Sequence, residues 1–542
     1  MTTFDFQQQC KALIDDLKGI CAAYGLGNDG NEFKIITQVF LYKFLHDKFA
    51  FEVKKARPEI AENWAQNLCE LDAEALDFLQ YELPPNTAIL KPSHFISHLF
   101  NQHKNAKFAT LFDDSLLEIA TLNSALFSVQ TEGGAKVVLF DRVSEYVTDG
   151  SKRDDFCGAI INKLVKLSFE PIFEQKYDFY ATLFEYLIKD YNKDSGGKYA
   201  EYYTPHAVAR IMAAILVPTD KQLSSMTCYD PSAGSGTLLM NIAHAIGEER
   251  CTLYSQDISQ KSSHLLRLNL ILNNLVLSIP NIIQGNTLLH PFHRGKKGAL
   301  QQFDFIVSNP PFKMDFSDFR ESLDTDDNRA RFFAGLPNIP KAAKDKMAIY
   351  QLFLQHILFC LKPNGKAAVV VPTGFITAQS GIDKKIRQAL VDGQMLAGVV
   401  SMPSNIFATT GTNVSILFID KGKRGDVVLV DASSLGKKVK EGKNQKTVLS
   451  ADEETRIVEV FNQQRAEDDF SVVVSYEEIQ AKNYSLSAGQ YFEVKIEYVD
   501  ITHDEFEAKM QGFTQNLTQF FAESKELETD ILQQLKGLGY EK

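Results

Sequence analysis

The sequence predicts a doubly wound α/β domain, preceded by a helical N-terminal domain and followed by a helical, coiled-coil-like C-terminal extension. Three observations predict it. From about residue 206 short apolar runs alternate with helical stretches, in the order MTCYDPSAGSG, TLYSQD, QFDFIVSNPPF, GKAAVVVPTG, LAGVVSMPS and NVSILFID. Strands separated by helices imply a parallel sheet with helices on both faces. In the first 165 or so residues Phe6, Cys10, Leu13, Ile14 and Leu17 recur at three- and four-residue steps, and Ile35 to Phe49 follows the same helical rule. Near the C-terminus Phe506, Phe513, Phe520 and Leu527 recur every seven residues, with Met510, Leu517, Ile531 and Leu538 on the interleaved track. The boundaries that follow are 1–165, 166–480 and 481–542.

Length and composition bound what these domains can do. The 542 residues leave room for roughly three to five domain-sized units. With 57 Lys+Arg against 69 Asp+Glu the formal charge is -12, whereas a chain that holds nucleic acid alone usually carries a basic face. If DNA is the substrate, another subunit must supply basic surface. No run of about 18 uncharged apolar residues occurs, and MTTFDFQQQCKALIDDLKG lacks the basic and apolar pattern of a signal peptide. The expectation is a cytoplasmic protein with no membrane partner. Cys10, Cys21, Cys69, Cys157, Cys228, Cys251 and Cys360 are scattered without a CxxC, which predicts buried, reduced thiols and no metal site.

Two segments outside the core carry weaker signals. The stretch from about 421 to 470, with GKKVKEGKNQKT, reads as exposed loops. In the C-terminal heptads Ser524 breaks one track and Gly512 costs about 1 kcal/mol against Ala in a helix. That stripe either pairs with a helix of another chain or packs on its own domain.

The chemistry-bearing residues cluster in two turns. Asp230, Ser232, Gly234, Ser235 and Gly236 lie between a strand and an apolar helix, where glycines let the backbone approach a ligand at the carboxyl edge of the sheet. Asp257 ends the next strand, 27 residues beyond Asp230, near the spacing at which an acid accepts ribose hydroxyls. No GxxxxGK[ST] is present and GxGxxG is only half met, so a phosphate-binding reading fits less well. Taken alone, this stretch reads equally well as a structural glycine turn. The second turn, Ser308-Asn309-Pro310-Pro311-Phe312, follows an apolar strand. Its prolines lack N–H groups, so carbonyl oxygens dominate the local polar surface. Asn309 and the Pro310 carbonyl can hold both hydrogens of a planar amino group while Phe312 stacks on the attached ring. A rigid strand-terminal turn is the bland alternative for a lone Pro-Pro, but both turns must lie at one sheet edge.

With both turns in hand, the sequence resembles the adenine-N6 DNA methyltransferases, and among them the modification subunit of type I restriction-modification systems, over nearly its whole length. Gly197 to His206 looks like that family's first cofactor motif, and its Glu201, Tyr202, Tyr203, Thr204, Pro205 and His206 are thereby candidate S-adenosyl-L-methionine contacts. The resemblance carries Asp230 to Gly236 onto the methionine-binding motif, Asp257 onto the ribose-binding acid, and Ser308 to Phe312 onto the catalytic motif, with Asn309, Pro310, Pro311 and Phe312 as the catalytic candidates. The motif order is that of the gamma group, and the fold it implies is a Rossmann-like methyltransferase domain. Softer matches are Asp345 with Phe353 to His356, Leu361 to Lys366, Pro403 to Asn413, and Asn483 to Leu486. One position departs: Asn286 follows Gly285 where the family often has an acid near the cofactor's adenine, which implies altered cofactor affinity rather than lost activity.

The resemblance also implies a mechanism and partners. The substrate would be double-stranded DNA, whose target adenine is flipped out and stacked on Phe312 while Asn309 and Pro310 accept from N6. No Pro-Cys dipeptide occurs, which argues against cytosine-C5 chemistry and its cysteine nucleophile. A specificity subunit would read the sequence, and a restriction subunit would join the full complex. Between Phe312 and Met347 lies a polar stretch with Arg320, Arg329, Arg331, Lys341, Lys344 and Lys346 among aspartates, either an element that orders over DNA or a solvated loop. The rival functions are methylation of a protein glutamine or of RNA, and a scaffold without turnover.

Overall fold

The computed structural model describes residues 3–27, 30–173, 186, 204–218, 222–295, 298–407, 413–423, 425–441, 444–493 and 502–537. The chain forms two compact units, Met1–Phe492 and Glu493–Lys542.

In the larger unit the helices expected near the N-terminus are Thr3–Ala23 and Gly30–Ala56, followed by shorter ones. Gly30–Ala56 buries Ile35, Val39, Phe40 and Phe44 together with Lys43, His46 and Asp47, so it is enclosed on all sides. A buried charge must be paired. Asp47 accepts from Lys43 Nζ at 2.9 Å and from the Phe169 N–H at 2.8 Å, and lies 2.8 Å from His46 Nδ1. This region is not helical throughout: β1 (Val129–Thr131) and β2 (Lys136–Val137) form an antiparallel ribbon. Two- and three-residue strands are too short to show a period, so the sequence pattern could not reveal them.

That ribbon extends a sheet whose other strands are β3 (Met226–Asp230), β4 (Cys251–Asp257), β5 (Ile282–Gln284), β6 (Phe303–Ser308), β7 (Leu361–Pro372), β8 (Leu396–Ser401), β9 (Val414–Asp420), β10 (Val427–Asp431) and, beyond a separate hairpin, β13 (Ser471–Val474). The order is β13-β10-β8-β9-β7-β6-β3-β4-β5-β1-β2. From β1 through β5, β4, β3 and β6 to β7 all pairs are parallel. The expectation of a wholly parallel sheet needs one correction here, because β9 lies antiparallel between β7 and β8, and β13 is antiparallel to β10. Apolar runs report burial on both faces and carry no strand direction. Val369, Val370 and Val371 in β7 are completely buried, as a central strand with both faces covered requires.

The reading of 421–470 as loops is also corrected. It contains β10, the hairpin β11 (Lys437–Glu441) with β12 (Asn444–Val448), and the helix Ala451–Asn462. The hairpin looked like loop because Lys437, Lys438, Val439 and Lys440 of β11 are exposed. It is anchored through Thr447, whose N–H donates to Asn405 O at 3.0 Å and whose hydroxyl donates to Ser404 O at 2.6 Å. All seven cysteines are free, but Cys69 is exposed and Cys251 half-buried, against the expectation of uniform burial.

The smaller unit holds one long helix, His503–Gly537, where the heptads lie. Leu538 falls outside the described residues. The apolar stripe is wider than the heptads, since Phe521, Leu532 and Leu535 are exposed along with Phe506, Phe513 and Leu527.

Candidate functional site

The chain order of the strands creates the site. After β3 the chain moves outward through β4 and β5, then returns to place β6 on the other side of β3. Loops leaving the carboxyl ends of β3 and β6 therefore diverge and open a crevice, the place where open α/β sheets take ligands. Both turns singled out in the sequence stand there.

At the first turn β3 ends in Asp230 and the helix Thr237–Ile246 begins seven residues later. Gly234 and Gly236 have φ of 54° and 84°, and a Cβ on Gly236 would lie 2.2 Å from Leu266 Cδ1. Only glycine satisfies both demands at position 236. Asp230 is 1% exposed, and its Oδ1 accepts from the Ser232 N–H and from Ser308 Oγ, both at 2.9 Å. Ser308 and Ser232 hydroxyls are 2.8 Å apart. Since the Ser308 hydrogen is given to Asp230, Ser232 donates to Ser308. These bonds join the glycine turn to the Asn309 turn. The sequence reading placed Ser308 in the Asn-Pro-Pro-Phe turn but gave it no role of its own, and its bond to Asp230 had no sequence signal beyond a hydroxyl before Asn-Pro-Pro.

The Asn309 turn is braced from both sides. Asn309 Nδ2 donates to Thr204 Oγ1 at 3.3 Å, so the amide nitrogen is occupied and Oδ1 is left as the acceptor. Phe312 is half-buried and meets Tyr350 edge-on at 6.3 Å between ring centroids. Tyr350 in turn donates to Asp383 at 2.8 Å. Thr204 and Pro205 are buried, with His206 opening the helix His206–Leu216. Glu201, Tyr202 and Tyr203 lie outside the described residues.

On the other flank Asp257 ends β4. Its Oδ2 accepts from the Gly234 N–H and its Oδ1 from the Ser259 N–H, each at 2.9 Å. Ile258 beside it is 60% exposed, an apolar side chain at the rim that the sequence reading passed over. Thr287 donates to Pro231 O at 2.7 Å and ties the end of β5 to the glycine turn. Asn286 Oδ1 accepts from the Leu288 and Leu289 N–H groups at 3.0 and 3.1 Å, and so serves its own turn. The Asn286 N–H donates to Glu132 Oε2 at 2.6 Å.

Two carboxyls, Asp230 buried and Asp257 half-buried, give the crevice its electrostatics. Burial, opposed by hydrogen bonds from Ser232 and Ser308 and reinforced by nearby Asp257, pushes Asp230 up to about 7. Burial also raises Asp257, against the N–H groups of Ser259 and Gly234. Acids whose ionised form is disfavoured in this way gain most from an added cation.

The polar stretch after Phe312 is folded. It contains the helix Ser317–Leu323 and a small core of Phe316, Leu323, Phe332 and Met347 packed with Leu288 and Phe353. Arg331 is 3% exposed and donates to Leu288 O, while Arg320 donates to Pro337 O at 2.7 Å. These two arginines are therefore internal struts. Arg329, Lys341, Lys344 and Lys346 are exposed.

Residues 175–499 match the family model described as N-6 DNA Methylase. The type I restriction enzyme MpnII methylase subunit of Mycoplasma pneumoniae is 26% identical over 536 residues, covering 94% of this chain and 93% of its own. The type I restriction enzyme MjaIX methylase subunit of Methanocaldococcus jannaschii is 25% identical over 398 residues, covering 70% and 67%. Among solved structures, the methyltransferase subunit of a type I restriction-modification system from Streptococcus thermophilus has the same fold, with a TM-score of 0.71 at 22% identity over 91% of this chain and 100% of that one.

Proposed function

The chain belongs to the N-6 DNA methylase family, and from that premise we propose that it transfers a methyl group from S-adenosyl-L-methionine to N6 of adenine in double-stranded DNA, as the modification subunit of a cytoplasmic type I restriction-modification complex. The observation that carries this reading is the Ser308–Asp230–Ser232 joint, which holds an acceptor turn against a glycine turn at the switch point of the sheet. A site for an unrelated ligand would have no need of an Asn-Pro-Pro-Phe turn there.

The donor set suits the cofactor. Its ammonium and sulfonium groups are cations, and the crevice holds two carboxyls whose ionised form desolvation disfavours, so each gains from a cation placed beside it. The glycine turn admits a ligand close to the backbone, Asp257 keeps lone pairs for ribose hydroxyls beyond the two N–H bonds it takes, and Ile258 offers an apolar face to a base. When bound, the cofactor supplies an electrophilic methyl group. The rest belongs to the protein. The N6 lone pair of adenine is delocalised into the ring and poorly nucleophilic. Asn309 Oδ1 and the Pro310 carbonyl accept its hydrogens and favour tetrahedral nitrogen, stabilising the positive charge that grows as N6 attacks. Thr204 accepts from the Asn309 amide nitrogen, an arrangement that leaves Oδ1 to face the base. Phe312 stacks on the flipped base and offsets unstacking of a few kcal/mol.

DNA delivery falls to a partner. At a net charge of -12 the chain has little non-specific hold on phosphates, and the exposed stripe of the C-terminal helix suits pairing with a helical specificity subunit. A restriction subunit completes the complex. The test is methyl transfer from labelled S-adenosyl-L-methionine to duplex DNA by the chain co-expressed with a specificity subunit. Label in N6-methyladenine supports the proposal, whereas label in protein or RNA, or cofactor binding without transfer to any of the three, overturns it.

A further inference from the structure

The carboxyl end of β5 is where a nucleoside held through its ribose by Asp257 would place its base. β5 lies next to β4, about 4.8 Å away, and Ile258, the residue after β4, is exposed. An adenine here presents a 6-amino group with two donors, and a buried donor needs an acceptor. Three acceptors native to this strand end are already engaged. Gln284 O takes the Glu132 N–H at 2.9 Å, Asp257 O takes the Gly285 N–H at 2.9 Å, and Asn286 Oδ1 takes the Leu288 and Leu289 N–H groups.

A carboxylate reaches the same place from 154 residues away in the sequence. β1 pairs parallel to β5 with Gln130 opposite Ile283 and Thr131 opposite Gln284, so the next residue, Glu132, emerges opposite Gly285. Its Oε2 accepts from the Asn286 N–H at 2.6 Å. Among the described residues no hydrogen bond is assigned to Oε1. Gly285 is what lets it in, because a Cβ there would lie 2.3 Å from Glu132 Oε2 and 2.6 Å from Glu132 Cβ. The geometry points to Glu132 as the residue that recognises the 6-amino group of the cofactor's adenine, supplying from the N-terminal helical region the negative charge that Asn286 lacks. This assignment rests on the cofactor reading above and deepens it: the N-terminal region completes the cofactor pocket.

The test is calorimetric titration of the full chain with S-adenosylhomocysteine and with its 6-oxo counterpart, S-inosylhomocysteine. The intact protein is expected to prefer the 6-amino ligand. Glu132→Ala should weaken that ligand by about 10- to 100-fold, the range for a hydrogen bond to a charged group, and leave the 6-oxo ligand nearly unchanged. Glu132→Gln, which can turn an amide N–H toward an oxo group, should narrow the preference further. Gly285→Ala displaces Glu132, so it should match Glu132→Ala, and the double variant should lose no more than either alone. Equal weakening of both ligands would make Glu132 a structural residue, no weakening would remove it from the pocket, and tighter binding would make it a plug; each overturns the assignment. If the intact protein binds neither ligand, the cofactor reading itself falls, and this assignment with it.

Discussion

The crevice at the sheet edge and the C-terminal helix solve opposite problems. At the crevice nearly every polar group is paired within the chain: Asp230 to Ser232 and Ser308, Asn309 to Thr204, Asp257 to Gly234 and Ser259. Along the helix, Met510 is 48% exposed, Phe521 is 70% exposed, and the other large apolar side chains fall between. Covering one such side chain stabilises by about 1.5–3 kcal/mol, so a stripe of them is costly to leave in water. The difference teaches where each region is completed. On the proposed function, reaction geometry is preorganised by residues of this chain, whereas the docking surface keeps its free energy as uncovered side chains until a partner arrives.

The strongest way to break this contrast is to remove the helix. Deleting residues 501–542 is expected to spare cofactor binding while abolishing assembly with a specificity subunit, and with it DNA methylation. Gel filtration with the partner and a cofactor titration read the two effects separately. A truncated chain that still assembles and methylates at the normal rate sinks the docking role, and one that is insoluble without any partner shows a self-packed helix instead.

Asn309→Ala tests the other side. It should leave the fold and cofactor affinity intact and lower kcat by about 10²–10³-fold, as loss of one preorganised charge-stabilising group does. Loss of cofactor binding in this variant would make Asn309 structural. Asp257→Ala should do the reverse, weakening cofactor binding by about 1.5–3 kcal/mol through loss of a charged acceptor. An unchanged titration would take Asp257 out of the pocket.

The smallest effect concerns pH. Because the folded protein raises Asp230 from 3.8 to about 7, it favours the protonated acid. The resulting stability is fully present below about pH 4 and is lost as pH rises through about 7. The melting temperature of the chain without cofactor should carry a downward component over that window, and Asp230→Asn should remove it. An identical pH slope in the variant would show that Asp230 titrates normally.

How legible all this was in the sequence depends on the range of the interaction involved. Helices such as Gly30–Ala56 and strands such as β3, β6 and β7 are written in local periodicity, and the two turns are written in residue chemistry, so their places and their common edge could be read directly. The exposed stripe of His503–Gly537 was likewise visible as heptads, because periodicity survives without a partner. Direction and pairing were not legible: an apolar run looks the same whether β9 runs parallel or antiparallel to β7, and a charged run such as KKVKE looks like loop until Thr447 anchors its hairpin. The pairings that join the site lie further out of reach. Ser308 meets Asp230 across 78 residues, Asn309 meets Thr204 across 105, and Glu132 meets Asn286 across 154. The amino-acid sequence by itself determined where the long periodic elements form and which side chains are candidates for the chemistry. Only the tertiary structure decided which of them meet, because strand order and register are set by burial summed over the whole sheet rather than by any local stretch of chain.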